Sequence, residues 1–461
     1  WLSLARNWQS SKHGTNLMEA LQRLHNRGSI STGYDIDNSV KLQADNDEYL
    51  DRVITTQGNQ KTFTISAWVK RTEVTSSVDG FGHTFFFGGA YGNEAVILRF
   101  NTGTTSNVDA LQIGIGIGTT QNRSYTQRKF RDTSAWYHIV LAVDTTQSTA
   151  TDRFKLYVNG VLETEYASRN NPAQNLDTGN NKAQSATYAN NVGAYKSAGT
   201  VYGKFCGYIA EVYNIDGSAL APTAFGEFDE DSGIWKPIEY TGSFPNNSFY
   251  LDFQDSSDLG AQAKGDDRNF TTYNITSADQ ATDTPTNNFC TWNPLWAFSK
   301  VAGIENGGTS TNAAFNASTW RGAKGSIGVS KGKWYWEQKA SGNDTIVGWQ
   351  TDNCVPDSGT NSHNTISTIA YYEAGNFLWI KDSTSGRNAD TVSGTYAGGQ
   401  IVGIALNLDS SPQTVTFYRN GSAILSNRNI DGLANQTLFP MTSHYNQTSD
   451  ANFGGYTNFT I

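Results

Sequence analysis

WYHIVLAVD (Trp136 to Asp144) with FKLYVNGVLE (Phe154 to Glu163), and far along the chain GGQIVGIALNLD (Gly398 to Asp409) with TVTFYRNGSAI (Thr414 to Ile424), spell one pattern twice. Each copy has a hydrophobic strand closing on Asp, a Ser/Thr-rich gap, and an alternating strand that runs into Asn-Gly. Asn-Gly tolerates the positive φ of a type I′ turn, whose twist matches a β-hairpin. In the first copy Phe154, Leu156 and Val158 alternate with Lys155, Tyr157 and Asn159; in the second, Val415 and Phe417 alternate with Thr416 and Tyr418. A period of two is the signature of a half-buried strand. The expected fold is all-β: two antiparallel β-sandwiches in series, behind a short N-terminal helical segment.

Composition supports that class. Of 461 residues, 37% are hydrophobic, 16% are charged and 45 are Gly, and helix-favouring runs are scarce. Aromatics at 12%, including 12 Trp, supply enough apolar surface for two cores. A net charge of −9 argues against a nucleic-acid partner, because no basic stripe exists to displace counterions. Arg128, Lys129 and Arg131 form a short cationic cluster, read as a solvated strand edge. Cys206, Cys290 and Cys354 are far apart, fitting buried free thiols rather than a disulfide framework or a zinc spacing. No apolar run is long enough to span a bilayer.

Four segments follow along the chain. Residues 1–34 read as an N-terminal helical anchoring segment. Asn16 and Glu19 suit a capping box, and Trp1, Leu4, Trp8, Leu17, Leu21 and Leu24 would dock on another subunit or a larger assembly. Residues 35–225 read as the first sandwich, with turn-rich gaps at sandwich spacing. The run LQIGIGIG within it, with Gly114, Gly116 and Gly118, suggests a backbone passing closely. Residues 226–300 read as an ordered aromatic connector, in which DTPTNNFCTWNPL holds too many Pro and Asn for a core strand. Residues 301–461 read as the second sandwich.

FTISAWVKR (Phe63 to Arg71), YVNG (Tyr157 to Gly160) and GYIAEVYNIDGSAL (Gly207 to Leu220) resemble a laminin-G-like, concanavalin-type jelly roll. GKWYWE (Gly332 to Glu337), IVGW (Ile346 to Trp349), IVGIALNLD and TFYRNG resemble a SPRY domain. The connector, with FGEFDEDSGIWKPIEYTG and FYLDF, resembles a segment of tailed-bacteriophage structural proteins that join the same two domains in the same order. The resemblance covers roughly residues 36–461 and implies a virion-surface protein, a tail fibre or capsid-surface fibre. It would present loops to a host glycan or protein, contact other virion proteins through its N-terminal segment, and assemble as a homo-oligomer.

Candidate chemistry is sparse. Retaining glycosidases need two carboxyl groups about 5–5.5 Å apart, usually from one strand face. Glu211 has only Asp216 as a strand partner, at odd spacing, and Glu227, Asp229, Glu230 and Asp231 sit in the connector, like the loop acids Asp266 and Asp267. His138, between Trp136 and Val140, reads as a satisfied core histidine. No catalytic residue is therefore assigned. Laminin-G-like folds often hold a rim calcium ion, which points to Asp45, Asp47 and Glu48. Aromatic groups outside strands, Tyr91, Tyr125, Tyr195, Trp320, His363 and Tyr445, are the candidates for ligand contact. A depolymerase on a laminarinase-like sandwich and a capsid decoration protein are the alternatives.

Overall fold

Asn159 and Gly160 adopt φ of 48° and 76°, and Asn420 and Gly421 adopt 47° and 77°, in a computed structural model of the chain. The two turns match in detail. Asn159 N–H donates to His138 O (2.9 Å) while its Oδ1 accepts from His138 N–H (2.7 Å); Asn420 does the same with Ile401 at 2.8 and 2.9 Å. Asparagine thus supplies both the left-handed backbone and an extra rung to the hairpin. Replacing Asn420 by Ala removes one hydrogen bond and puts a residue that tolerates positive φ less well than Asn in the left-handed region, at a cost of about 1–2 kcal/mol. The shift should appear in the denaturation midpoint at unchanged slope, and Asn420→Gly, which keeps the turn, should lose less than half as much.

The structure describes residues 33–74, 79–90, 92, 94–103, 106–116, 122–183, 189–197, 199–266, 268–296, 303–311, 321–340, 342, 345–352, 368–372, 377–380, 388–391, 395–430, 433, 435–445 and 447–455. The helical segment expected over 1–34, with its anchor residues, lies outside them except for Gly33 and Tyr34, which are not helical. Among the described residues the helices are short 3-10 turns and the sheet pairings are antiparallel. None of these helices is long and apolar enough to cross a membrane.

The first hairpin forms the edge of a nine-stranded sheet. Seven of its strands run in the order Val161–Leu162, Phe154–Val158, Tyr137–Asp144, Thr62–Arg71, Gly207–Asp216, Ser39–Leu42, Gln280–Ala281. The other two branch from Gly207–Asp216, which pairs with Phe249–Leu251, and that strand pairs with Lys264–Gly265. An eight-stranded sheet packs over it, with Phe86, Leu98, Ile113 and Val192 meeting Ile65, Leu141, Leu156 and Ile209 in one core. The second hairpin is likewise the edge of a seven-stranded sheet, and a six-stranded sheet covers that one. Trp336, Trp349, Ile404 and Phe417 lie in the core between them.

Residues 226–300 do more than connect. Phe249–Leu251 pairs with Gly207–Asp216, Thr271–Tyr273 with Tyr49–Val53, and Gln280–Ala281 with Ser39–Leu42. Phe249, Leu251, Phe253 and Phe270 fill the first core, whereas Trp292 is fully buried in the second. The segment expected to hold too many Pro and Asn for a core strand makes only isolated bridges, and it still delivers its tryptophan to a core. A close backbone at the glycine run is not what is seen at Gly116, where the Leu176 side chain presses instead. Gly118 lies outside the described residues.

Candidate functional site

On the second sandwich, the strand Lys333–Ala340 sends Trp334 and Trp336 toward the core and Lys333, Tyr335 and Glu337 outward. Register fixes their neighbours. Lys333, Tyr335 and Glu337 stand opposite Asn407, Ala405 and Gly403, which stand opposite Thr414, Thr416 and Tyr418. A Cβ at position 403 would collide with the Tyr335 hydroxyl, so glycine there lets the Tyr335 ring lie across the sheet. Tyr335 remains 51% exposed and meets Tyr418 edge-on, ring centroids 6.1 Å apart. Its hydroxyl donates to Glu337 Oε1 at 2.6 Å, and Glu337 Oε2 accepts from Asn452 Nδ2 at 3.0 Å. Burial, then this carboxylate contact, pushes the Tyr335 phenol above its ordinary range. The result is a shallow depression of about 330 Å3 with aromatic walls and Lys, Asn and Thr groups around them. Such a surface suits a ligand with an apolar face and several hydroxyls, because the ring covers the face and the amides and hydroxyls pair with the rest.

Of the acids marked by the sequence, Glu211, Asp216, Asp229 and Asp266 are engaged within the fold, whereas Glu227, Glu230 and Asp231 are exposed. Glu211 sits in a bulge at φ 52°, where the hydroxyls of Tyr34, Tyr213 and Tyr250 donate to it at 2.8, 2.8 and 2.5 Å. Burial raises its carboxyl above the usual range against those three donors. Asp216 instead accepts from the backbone of Asn59 (2.8 Å) and Asn247 (3.3 Å), away from the tyrosine cluster. Asp229 caps its own turn through Ser232 N–H at 2.9 Å, and Asp266 pairs with Arg52 and Arg268. Asp267 lies outside the described residues. The cationic cluster is spent similarly, Arg128 on Glu163 and Arg131 on Asp109.

His138 is locked as a neutral tautomer. Trp235 Nε1–H can only donate, so His138 Nδ1 accepts (2.9 Å) and Nε2–H faces Ser66 Oγ at 2.8 Å. Complete burial lowers its pKa to about 3, so it has no protonated form to offer near neutral pH. His444, buried among Thr442, Ser449 and Thr311, is held down to about 3 for the same reason.

The predicted calcium acids do not converge. Glu48 accepts from Gln43 N–H (2.7 Å) and Asn46 Nδ2 (2.9 Å), and burial pushes its carboxyl up to about 7. Asp47, at φ 57°, pairs with Lys204 and Asp45 is exposed, so among the described residues these three acids do not gather into a group that fits a calcium ion. Among the contact candidates, Tyr195 is a correction. It is buried, packed on Phe87 and Tyr202, and cannot face a ligand. Tyr125 is half-buried on the strand Arg123–Lys129, and Tyr445 is exposed after the strand Leu438–His444. Tyr91, Trp320 and His363 lie outside the described residues. Tyr335 and Tyr418 are not among the contact candidates read from the sequence because those are aromatics outside strands, and both of these lie within one. The signal that could have found them is the alternation Trp334-Tyr335-Trp336, which puts one ring of three on the outer face.

The Laminin_G_3 family model, concanavalin A-like lectin/glucanases superfamily, matches residues 41–212, and the SPRY domain model matches residues 333–456. Both domains are present in this chain. Among solved structures, the SPRY domain of human HERC1 is 20% identical, with TM-score 0.28, over 35% of this chain and 98% of that one. A heptameric SAP-like pentraxin from Limulus polyphemus is 11% identical, with TM-score 0.31, over 48% of this chain and 94% of that one. No curated protein sequence matches. The Tyr335–Tyr418 face thus belongs to the SPRY domain, and the Glu211 and His138 clusters to the laminin-G-like domain and the segment that completes it.

Proposed function

We propose that the chain is a non-enzymatic adhesion protein of a bacteriophage particle, binding a host-surface glycan through the outer face of its SPRY domain. The observation that carries the binding part is the half-exposed Tyr335 ring set against Tyr418 in a depression rimmed by Lys333, Asn407 and Thr416. The non-enzymatic part is supported by the engagement of Glu211, Asp216 and His138 inside the fold. The particle assignment is supported by the order of the two domains and by the connector's resemblance to tailed-phage structural proteins. Residues 1–34 would then attach several copies to the particle.

A glycan array probed with the whole chain, alongside a host-cell binding assay, tests the reading. Tyr335→Ala and Tyr418→Ala should each weaken binding about 10- to 30-fold, as expected for an aromatic anchor at a contact. Their unfolding midpoints should move by no more than about 1 kcal/mol, since both rings are at the surface. A blank array together with unbound cells would remove the proposal, and so would reducing-sugar release from host polysaccharide.

A further inference from the structure

Three side chains of the laminin-G-like domain, from separate parts of the sequence, meet at one end of the sandwich. Glu73 follows the strand Thr62–Arg71, Cys206 precedes Gly207–Asp216 in the same sheet, and His83 opens His83–Ala90 in the facing sheet. One ligand atom from each lies within 4.8 Å of the other two, and His83 Nε2 is 3.7 Å from Glu73 Oε2. The packing that holds them is local. Thr72 N–H donates to Cys206 O at 3.2 Å, and the His83 ring stands edge-on to Phe205.

His83 is the telling member. Its side chain is 0% exposed, yet neither ring nitrogen has a hydrogen-bond partner. A buried polar group without a partner needs an explanation, since nearly all such groups are satisfied. His138 and His444, equally buried, each have partners. We propose that Glu73, His83 and Cys206 bind a divalent transition metal of the zinc class, which joins the two sheets at this end of the sandwich. Sulfur, imidazole and carboxylate together suit zinc or cobalt, whereas calcium takes oxygen ligands alone. Ligand atoms about 2.0–2.3 Å from a tetrahedral ion stand within reach of the separations seen here. Three protein ligands leave one position for water.

The state of the groups fits that assignment. Burial, and the nearby Arg71 charge, hold the His83 imidazole neutral, the form that ligates. Burial, with Glu73 next to it, keeps the Cys206 thiol protonated in the metal-free protein. Binding therefore converts thiol to thiolate and releases that proton to solvent, one per ion.

The test uses the full chain with Cys290 and Cys354 changed to Ser, stripped by a chelator and titrated first with Co2+ and then with Zn2+. One equivalent of cobalt should bind with a sulfur-to-metal charge-transfer band and the strong visible absorption of a four-coordinate ion, and zinc should displace it. Cys206→Ser should abolish the charge-transfer band, and His83→Gln should weaken binding by at least about tenfold. Zinc should also raise the melting temperature of the parent protein but not of Cys206→Ser. If the parent binds well under one equivalent, or shows only the weak spectrum of hydrated cobalt, the site does not exist. Retention of the band in Cys206→Ser would equally overturn it. The parent spectrum decides the matter even where a variant does not fold.

Discussion

Lys70→Met will destabilise the laminin-G-like domain by about 3–5 kcal/mol, because it removes one partner of a fully buried ion pair and leaves the other. Lys70 Nζ lies 2.6 Å from Asp283 Oδ2, and both side chains are 2% exposed or less. The ammonium also donates to Asn288 Oδ1 at 2.7 Å and to Phe289 O at 2.6 Å, while Asp283 Oδ1 accepts from Trp136 Nε1 at 2.9 Å. One lysine on a central strand therefore fastens the chain from Asp283 to Phe289, and the loss falls on fold and connector together. The pH dependence gives a second readout. Burial pushes the Asp283 carboxyl above its ordinary range, against the pull of Lys70. An acid whose folded pKa is raised favours folding while protonated and loses that contribution as pH rises through the folded value. Without Lys70 the rise is larger, so the penalty of Lys70→Met should shrink as pH falls toward the carboxylate range. Denaturant melts at several pH values measure it. A pH-independent loss below about 1 kcal/mol would show that the pair is not buried as described.

What the sequence made legible was whatever depends on near neighbours. The Asn159-Gly160 and Asn420-Gly421 turns could be read because positive φ at both positions is a demand few residue pairs meet. His138 could be read as a satisfied buried histidine from its place between Trp136 and Val140, although its face of the sheet is the one away from Ile139 and Leu141, covered by Trp235 of residues 226–300. The role of residues 226–300 could not be read in the same way. Phe249–Leu251, Thr271–Tyr273 and Gln280–Ala281 are short, and each is a strand only because an edge of an existing sheet receives it. Glu211 shows the same limit. Spacing set it apart from Asp216, but the bulge and the three tyrosines around it come from strands distant in sequence. Glu73, His83 and Cys206 have no recognisable spacing at all, since the loop between the first two and the long path to the third are arbitrary. Binding surfaces were least legible. A loop aromatic advertises exposure, whereas Tyr335 lies within a strand, half-exposed on its outer face with its ring laid over Gly403.

Trp292→Ala is expected to cost the SPRY domain about 3–5 kcal/mol, the usual range for emptying a buried aromatic site. Trp292 is fully buried, edge-on to Trp336 (centroids 5.7 Å apart) and to Phe453 (5.1 Å), and its backbone N–H donates to Gly308 O at 2.7 Å. Neither neighbour is placed to fill the space, because Trp336 is paired within its sheet strand and Phe453 directly follows the paired strand Ser449–Asn452. Trp292→Phe should lose less than half as much. It keeps most of the ring contact and deletes an indole N–H that has no partner in the core. Denaturation of the full chain, followed by a probe in each domain, separates this from an effect on the laminin-G-like domain. A passive connector would tolerate alanine at this position with a loss within about 0.5 kcal/mol, as exposed sites do. The larger loss would mean that the segment between Asp283 and Trp292 is gripped at one end by Lys70 of the first domain and at the other by the core of the second. Its Pro- and Asn-rich composition then reflects a chain fitted closely between two sandwiches rather than a tether that lets them swing.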